Sequence, residues 1–459
     1  MKRIIYAIAA MLLMGAADAT AQVAIVKENF PDSAFRVVVK EKFDKDNNDT
    51  LSATEIDKAK DMYMYSGRSI KSMEGIALLP NLIHIFSVGN KISDIDISKN
   101  LKLATLIIYS DSLQSVNVSN DTCLNYLTLA QCSKLKSLDL SKSPNLKELS
   151  VTGSSVSSLD LSKCKKLTGI NVGNNKLDSL DLTKSPLLTE VRFSNNNISS
   201  IDLSNNPELS ILTFENNNLK AIDLTNNKKL KGFSCVNNKI ESLDVTQDTL
   251  LTELYCDNNK LTTLDVTKNT NLTYLHFAEN GLTKIDLSKN TKLTNLDCYN
   301  NQLVALDVSA CTGLTSLDAS TNIKRVDVNT AGEMDLTTLA PFGFDAAKAS
   351  NWIGGTVDGT KLTFTGANAT YDYDCGNNQT VTFELIPVVP SSAQLTSGSA
   401  VKAFATGNVI NILGTDAKAQ VIDAAGRTVY AGTDRQITVT TPGLYIVNAA
   451  GKAFKVIIR

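Results

Sequence analysis

Asp44, Asp46, Asn48, Thr50, Ser52 and Glu55 stand at positions 1, 3, 5, 7, 9 and 12 of a single acidic stretch. Oxygen donors at this spacing wrap around one point, which suits a calcium ion that needs six or more oxygen ligands. Glu55 would bind through both carboxylate oxygens, Thr50 through its backbone carbonyl and Ser52 through a water. The pattern departs at position six, where Asp49 replaces the usual glycine. That position needs a positive φ, which Asp tolerates at some cost. The competing reading is a solvated acidic turn. Because only one such loop exists, a bound calcium is expected to be structural, tying down the N-terminal region, rather than a sensor.

Other candidate chemistry dissolves into repetition. Asp139, Asp160, Asp181, Asp202, Asp223, Asp244, Asp265, Asp286 and Asp307 recur at one position, and paired carboxylates could suggest acid–base work. A carboxylate in nearly every repeat needs a per-repeat explanation, such as accepting from turn N–H groups. The chain has two histidines, His84 and His276, and neither lies near a G-x-S-x-G elbow or an H-E-x-x-H helix. No phosphate-cradling glycine loop is present. No catalytic residue is assigned, and the chain is expected not to be an enzyme.

The elements behind these residues follow from one count. Leu146, Leu167, Leu188, Leu209, Leu230, Leu251, Leu272, Leu293 and Leu314 recur without a slip. Nearly all open the phrase L-x-x-L-x-ϕ-x-x-N-x-L-x-x-L-D-L-[ST], where ϕ is apolar. A fixed period near 20 residues means a solenoid, because one unit cannot bury its apolar face alone. With Leu82, Leu103 and Leu124 the count reaches about twelve units, the one at Leu124 carrying an extra residue and the last ending short at Asn322-Ile323. Within a unit, L-x-x-L-x-ϕ alternates as a short strand does, and stacked units make a parallel sheet on a concave side. The Asn at position nine (Asn175, Asn196, Asn217, Asn238, Asn259, Asn280, Asn301) is expected to turn the chain off the strand and to bond neighbouring coils as an asparagine ladder. Of eight cysteines, Cys235, Cys256 and Cys298 fill the buried sixth position, where other repeats carry Val172, Phe193, Phe214 and Phe277. They read as small apolar thiols, although Cys235 and Cys256 on adjacent strands leave a bond between them open. Paired Cys or His ligands at zinc spacing are absent.

Side chains at positions three, five and seven point away from the core, so packing does not dictate them. On the concave sheet this register groups Tyr255, His276 and Asp297, with Tyr274 beside them and Asp257 and Tyr299 in the next column. A second, more apolar group comprises His84, Phe86, Val88, Ile107, Tyr109 and Tyr126. Clustered exposed aromatics are what an interface hot spot requires. The plainer reading is that such residues simply suit strands.

The chain reads as several modules: a signal peptide over 1–21, with basic Lys2-Arg3, an apolar run to Gly15 and Ala19-Thr20-Ala21 as cleavage site; a helical N-terminal cap over 22–81 with the EF-hand-like loop; the solenoid over 82–329; a β cap domain over 330–386; a linker over 387–400; and a further β module over 401–459. Helical stretches are expected near Asp32–Phe43 and Ala53–Met62, and hairpins around Asp423-Ala-Ala-Gly426 and Asn448-Ala-Ala-Gly451. No later stretch approaches 18 apolar residues, so no transmembrane helix is expected. A net charge of -2 argues against nucleic acid as a partner. The fold class is therefore mainly β with short helical caps: a right-handed leucine-rich-repeat solenoid followed by β-sandwich-like domains.

The repeats resemble bacterial leucine-rich repeats of the internalin type, and in particular the internalin-J-like group. There a Cys at position six followed by L-D-[VL]-[ST] is characteristic, as in Leu251-Thr-Glu-Leu-Tyr-Cys-Asp-Asn-Asn259. Only three repeats here carry that Cys, so a cysteine ladder would be broken. The resemblance implies a surface adhesin or host-interaction protein. The last ~60 residues resemble the type IX secretion sorting domain of Bacteroidetes, on Gly426, Gly443-Leu-Tyr-Ile446 and Lys455-Val-Ile-Ile-Arg459. That implies handling by the type IX machinery, export across the outer membrane of a Gram-negative cell, and attachment or release; the plainer reading is an ordinary terminal β-domain. The expected partner is a protein or glycan on a host cell or neighbouring bacterium. The alternative is a structural surface or biofilm-matrix protein that self-associates.

Overall fold

The computed structural model describes residues 22–119, 122–389, 401–406, 408–413 and 417–458. The signal peptide and most of the linker lie outside these residues. The fold is mainly β, a solenoid of about twelve turns of ~21 residues with further β-rich segments after it. It divides into two compact units, 1–209 and 210–459, with the division falling inside the repeats. No helix of the described residues is long and apolar enough to cross a membrane.

In the first unit, helix α1 (Ser33–Phe43) starts where the Asp32 side chain accepts from the Phe35 N–H, and it buries Phe35, Val38, Val39 and Phe43. Helix α2 (Ala53–Lys58) starts at a capping box in which Ser52 and Glu55 bond each other's backbone N–H. It ends earlier than expected. Asp61–Met64 is instead a strand, paired parallel with His84–Val88. Met62 and Met64 point inward while Asp61 and Tyr63 do not, a period of two that a helix cannot satisfy. The ladder of parallel strands therefore begins before Leu82. It continues through Thr105–Tyr109, Tyr126–Ala130, Glu148–Thr152, Gly169–Asn171 and Glu190–Arg192. From His84 onward partners are 21 residues apart except Tyr126 and Glu148, where the extra residue enters, while the first pair, Asp61 and His84, is 23 apart.

In the second unit the ladder runs through Ile211–Thr213, Gly232–Ser234, Glu253–Tyr255, Tyr274–His276, Asn295–Asp297 and Ser316–Asp318. The turns bury the sixth-position residue and most of their leucines, although Leu314 and Leu317 of the last turn are only half-buried. Cys235, Cys256 and Cys298 are buried free thiols in a column interrupted by Phe277. The asparagine ladder forms. Asn259 Nδ2 donates to Cys235 O and Cys256 O at 3.0 and 3.1 Å, while its Oδ1 accepts from Ile240 N at 2.9 Å. The bend itself is made one residue earlier than expected. Position eight takes the left-handed conformation, as in Asn174, Asn195, Asn237, Asn258 and Asn300, because Asn tolerates positive φ better than most residues. Position nine pins the bend once made. The aspartate column is also structural: Asp265 and Asp286 each accept from the N–H two residues on, at 2.9 Å.

After Asn322 the chain leaves the repeat. Ile323–Asp327 pairs parallel with Gln379–Val388, which pairs antiparallel with Ala369–Gly376 and through it with Ala349–Ile353. Strand pairing thus reaches Pro387, placed opposite Val326 rather than in a linker. Tyr371, fully buried, donates from its hydroxyl to Val304 O at 2.5 Å and so ties this sheet to the last turns. In the C-terminal segment, Ala419–Asp423 pairs with Thr428–Gly432, and Gly443–Ala449 with Lys452–Ile458. Gly426 and Gly451 supply the positive φ that these turns require.

Candidate functional site

Alternation along each strand of the second unit sends one residue inward and the next outward. Tyr255, His276 and Asp297 come side by side through the register of three strands, with Glu253, Tyr274 and Asn295 in the parallel column. The Tyr255 and His276 rings approach to 4.9 Å between centroids, and His276 Nδ1 stands 3.9 Å from Asp297 Oδ2. Tyr274 is 38% exposed. Asp257, one column over, accepts from the Ala278 N–H at 2.7 Å. Burial pushes its carboxyl up to about 6, against the pull of that hydrogen bond and of His276. Burial also raises Asp297, again opposed by His276. Tyr299 donates from its hydroxyl to Glu279 Oε1 at 3.1 Å.

The group of the first unit is larger than the sequence suggested. Phe86 and Ile107 are register partners, as are Val88 and Tyr109, while His84 neighbours Thr105 and through it Tyr126. The strand at Asp61–Met64 adds Tyr63 beside Phe86, with ring centroids 5.1 Å apart, and Tyr65 stacks on Tyr63 at 6.5 Å. Tyr65 is 64% exposed and Tyr126 46%. The missed signal was the alternation Asp61-Met-Tyr-Met-Tyr65, hidden by running the helix on to Met62.

At the acidic loop, carboxylate oxygens of Asp44, Asp46 and Glu55 all lie within 4.8 Å of one another. Asp49 takes φ 62, the conformation required at its position, and Lys40 pairs with its carboxylate. Asp44 accepts from Asn48 N and Asp49 N at 3.1 and 3.0 Å. Glu55 accepts from Ser52 N and Lys45 N, which holds its carboxyl below the usual range. Asn48 Oδ1 is turned toward Thr50 and the Ser52 hydroxyl toward Glu55. Three hard carboxylates thus converge, a donor set that fits calcium, while the Asn48, Thr50 and Ser52 side chains bond within the loop.

The family described as "Leucine Rich repeats (2 copies)" matches residues 270–311. Comparison with curated proteins by sequence finds no match. Among solved structures, the functional domain of InlJ from Listeria monocytogenes, which includes a cysteine ladder, is similar at TM-score 0.54 and 23% identity, covering 82% of this chain and 100% of that one. An internalin, InlF, from Listeria monocytogenes is similar at TM-score 0.50 and 22% identity, covering 66% of this chain and 93% of that one. At these identities the likeness is one of fold: an internalin-like arrangement of leucine-rich repeats.

Proposed function

We propose that this chain is a non-enzymatic surface adhesin of a Gram-negative bacterium, binding a protein or glycan of a host cell or neighbouring bacterium through the outward face of its strands. The observation that carries the reading is the cluster of Tyr255, Tyr274, His276, Asp257, Asp297 and Tyr299, brought together by register at positions the core leaves free. Leucine-rich-repeat scaffolds present such faces to partners, and a few buried aromatics usually carry most of an interface's energy. Replacing Tyr255, Tyr274 and Tyr299 together by Ser is expected to weaken cell adhesion at least about a hundredfold, since each anchor contributes roughly 2 kcal/mol. Adhesion of the purified protein, with circular dichroism as the check on folding, measures this. Unchanged adhesion by a folded variant rules the reading out, and self-assembly without cell binding favours a matrix protein instead.

The acidic loop is assigned to structural calcium, held by Asp44, Asp46 and Glu55 with further oxygens from Asn48, Thr50 and Ser52. Bound ion would offset the mutual repulsion of the three carboxylates and fix α1 against α2. Calorimetry of the full chain is expected to show binding at millimolar calcium or tighter, abolished by Glu55→Gln. At a hundredfold excess over the dissociation constant the ion adds about 2.7 kcal/mol of stability. No heat at millimolar calcium removes the assignment. The terminal β module is assigned to sorting by the type IX machinery, so deleting 401–459 should leave the protein inside the outer membrane.

A further inference from the structure

The strand face of the second unit is charged with one sign only. Its outward positions are Ile211, Thr213 and Glu215, then the equivalent triplets from Gly232, Glu253, Tyr274, Asn295 and Ser316. Glu215, Glu253, Asp257, Asp297 and Asp318 are acidic, and none of the positions carries Lys or Arg. The lysines of these turns lie outside the strands, where Lys239 and Lys292 donate to Asn218 and Asn271. Among the described residues, Glu253, Asp257, Asp297 and Asp318 pair with no Lys or Arg. Asp297 Oδ1 is shielded from solvent with no bonded partner among the described residues, and His276 and then Tyr255, a tilted aromatic pair, follow it in line on one side.

We infer that this face takes a basic, arginine-bearing segment of a partner protein. The inference rests on the binding role proposed above and names the chemistry of the partner. A guanidinium is planar, so it can stack on the Tyr255 or Tyr274 ring while its N–H fork donates to a carboxylate. Asp297 is the register partner of His276, while Asp257 lies two strands from Asp297 and one column over, so the two carboxylates stand roughly 12 Å apart. Arginines four residues apart on an extended segment, roughly 13 Å, would span that separation. Sulfated or otherwise anionic glycans are repelled by the same charges.

The test uses the full chain and fluorescence anisotropy with three synthetic peptides: alternating Arg and Gly, the Glu counterpart, and a neutral Ser counterpart. The Arg peptide alone should bind saturably, and its affinity should fall as salt rises, because exposed charges are screened. Asp257→Asn combined with Asp297→Asn should weaken binding about tenfold or more, and Asn retains an acceptor for the Ala278 N–H. Asp318→Asn, exposed and keeping an acceptor for the Ser320 N–H and hydroxyl, should weaken it severalfold. Equal binding of the Glu or Ser peptide, indifference to salt, or unchanged affinity in both variants overturns the inference. If cell adhesion is lost in the Tyr-to-Ser variant while the Arg peptide neither binds nor competes, the adhesin reading stands and this inference falls. Adhesion blocked by a neutral glycan and not by the Arg peptide has the same consequence.

Discussion

Asn301→Ala is expected to cost the repeats about 3 kcal/mol. Its side chain is 4% exposed and serves two adjoining coils. Nδ2 donates to Phe277 O and Cys298 O at 3.0 and 3.2 Å, and Oδ1 accepts from Leu282 N at 3.0 Å. Alanine leaves these groups in place without that partner, and each buried polar group so stranded costs roughly 1–3 kcal/mol. Asn301→Asp should be worse, since it keeps the acceptor, removes both donors and buries a charge. Gln302→Ala, next door and exposed, should change stability by less than about 0.5 kcal/mol. Urea denaturation followed by circular dichroism gives the comparison. Solenoids can open segment by segment, so exchange of the Leu282 amide is the sharper readout. A variant with an unshifted midpoint and a protected Leu282 amide would show that the ladder contributes nothing here.

How much of this was legible in advance depended on which force fixed each residue. Periodic burial fixed the leucines, Phe193, Phe214, Cys256 and the parallel register, and all could be read by counting in 21s. The register in turn placed Tyr255, His276 and Asp297 side by side without any knowledge of their chemistry. The failures came where the period breaks. Asp61 and Met62 were read as the end of a helix, yet they belong to a strand that pairs with His84–Val88, Met62 beside Ile85. Pairing with Val326 drew Pro387 into a sheet, a long-range contact that composition does not reveal. The bend was credited to position nine, whose Asn recurs most visibly, although backbone strain falls on position eight. Whether the acidic loop holds an ion, and what the strand faces bind, is not written in periodicity, because those residues answer to a partner and not to the core.

A second buried polar column holds the other large effect. Asn206, Asn227, Asn269 and Asn290 occupy equivalent positions 21 or 42 residues apart, but Asp248 stands where the pattern calls for Asn. Asn269 Nδ2 donates to Val245 O and Asp248 O at 2.8 and 2.9 Å, and Asn290 Nδ2 donates to Val266 O and Asn269 O at 3.0 Å. A carboxylate at this position has no proton to give, and Asp248 is 1% exposed with Oδ1 unbonded. Burial, reinforced by the charge of Asp244 and opposed by Lys228, pushes its carboxyl up to about 7. The native state therefore binds this proton more tightly than the unfolded chain does. The stabilisation is complete below the unfolded value near 3.8 and is lost as pH rises through about 7. At roughly 1.4 kcal/mol per pH unit the ceiling is about 4 kcal/mol, and local relaxation around the ion brings the expected loss nearer to 2. Asp248→Asn supplies a permanent donor, so its advantage should be near zero at pH 4 and grow to about 2 kcal/mol at pH 8. Aspartates such as Asp265 and Asp286, whose carboxyls are held low by turn hydrogen bonds, destabilise the fold in the opposite direction as pH falls. They act equally in both proteins, so the difference between the two denaturation midpoints isolates Asp248. Midpoints that stay parallel between pH 5 and pH 8 would mean the carboxylate is accommodated ionised, and that the column does not need a donor at every coil.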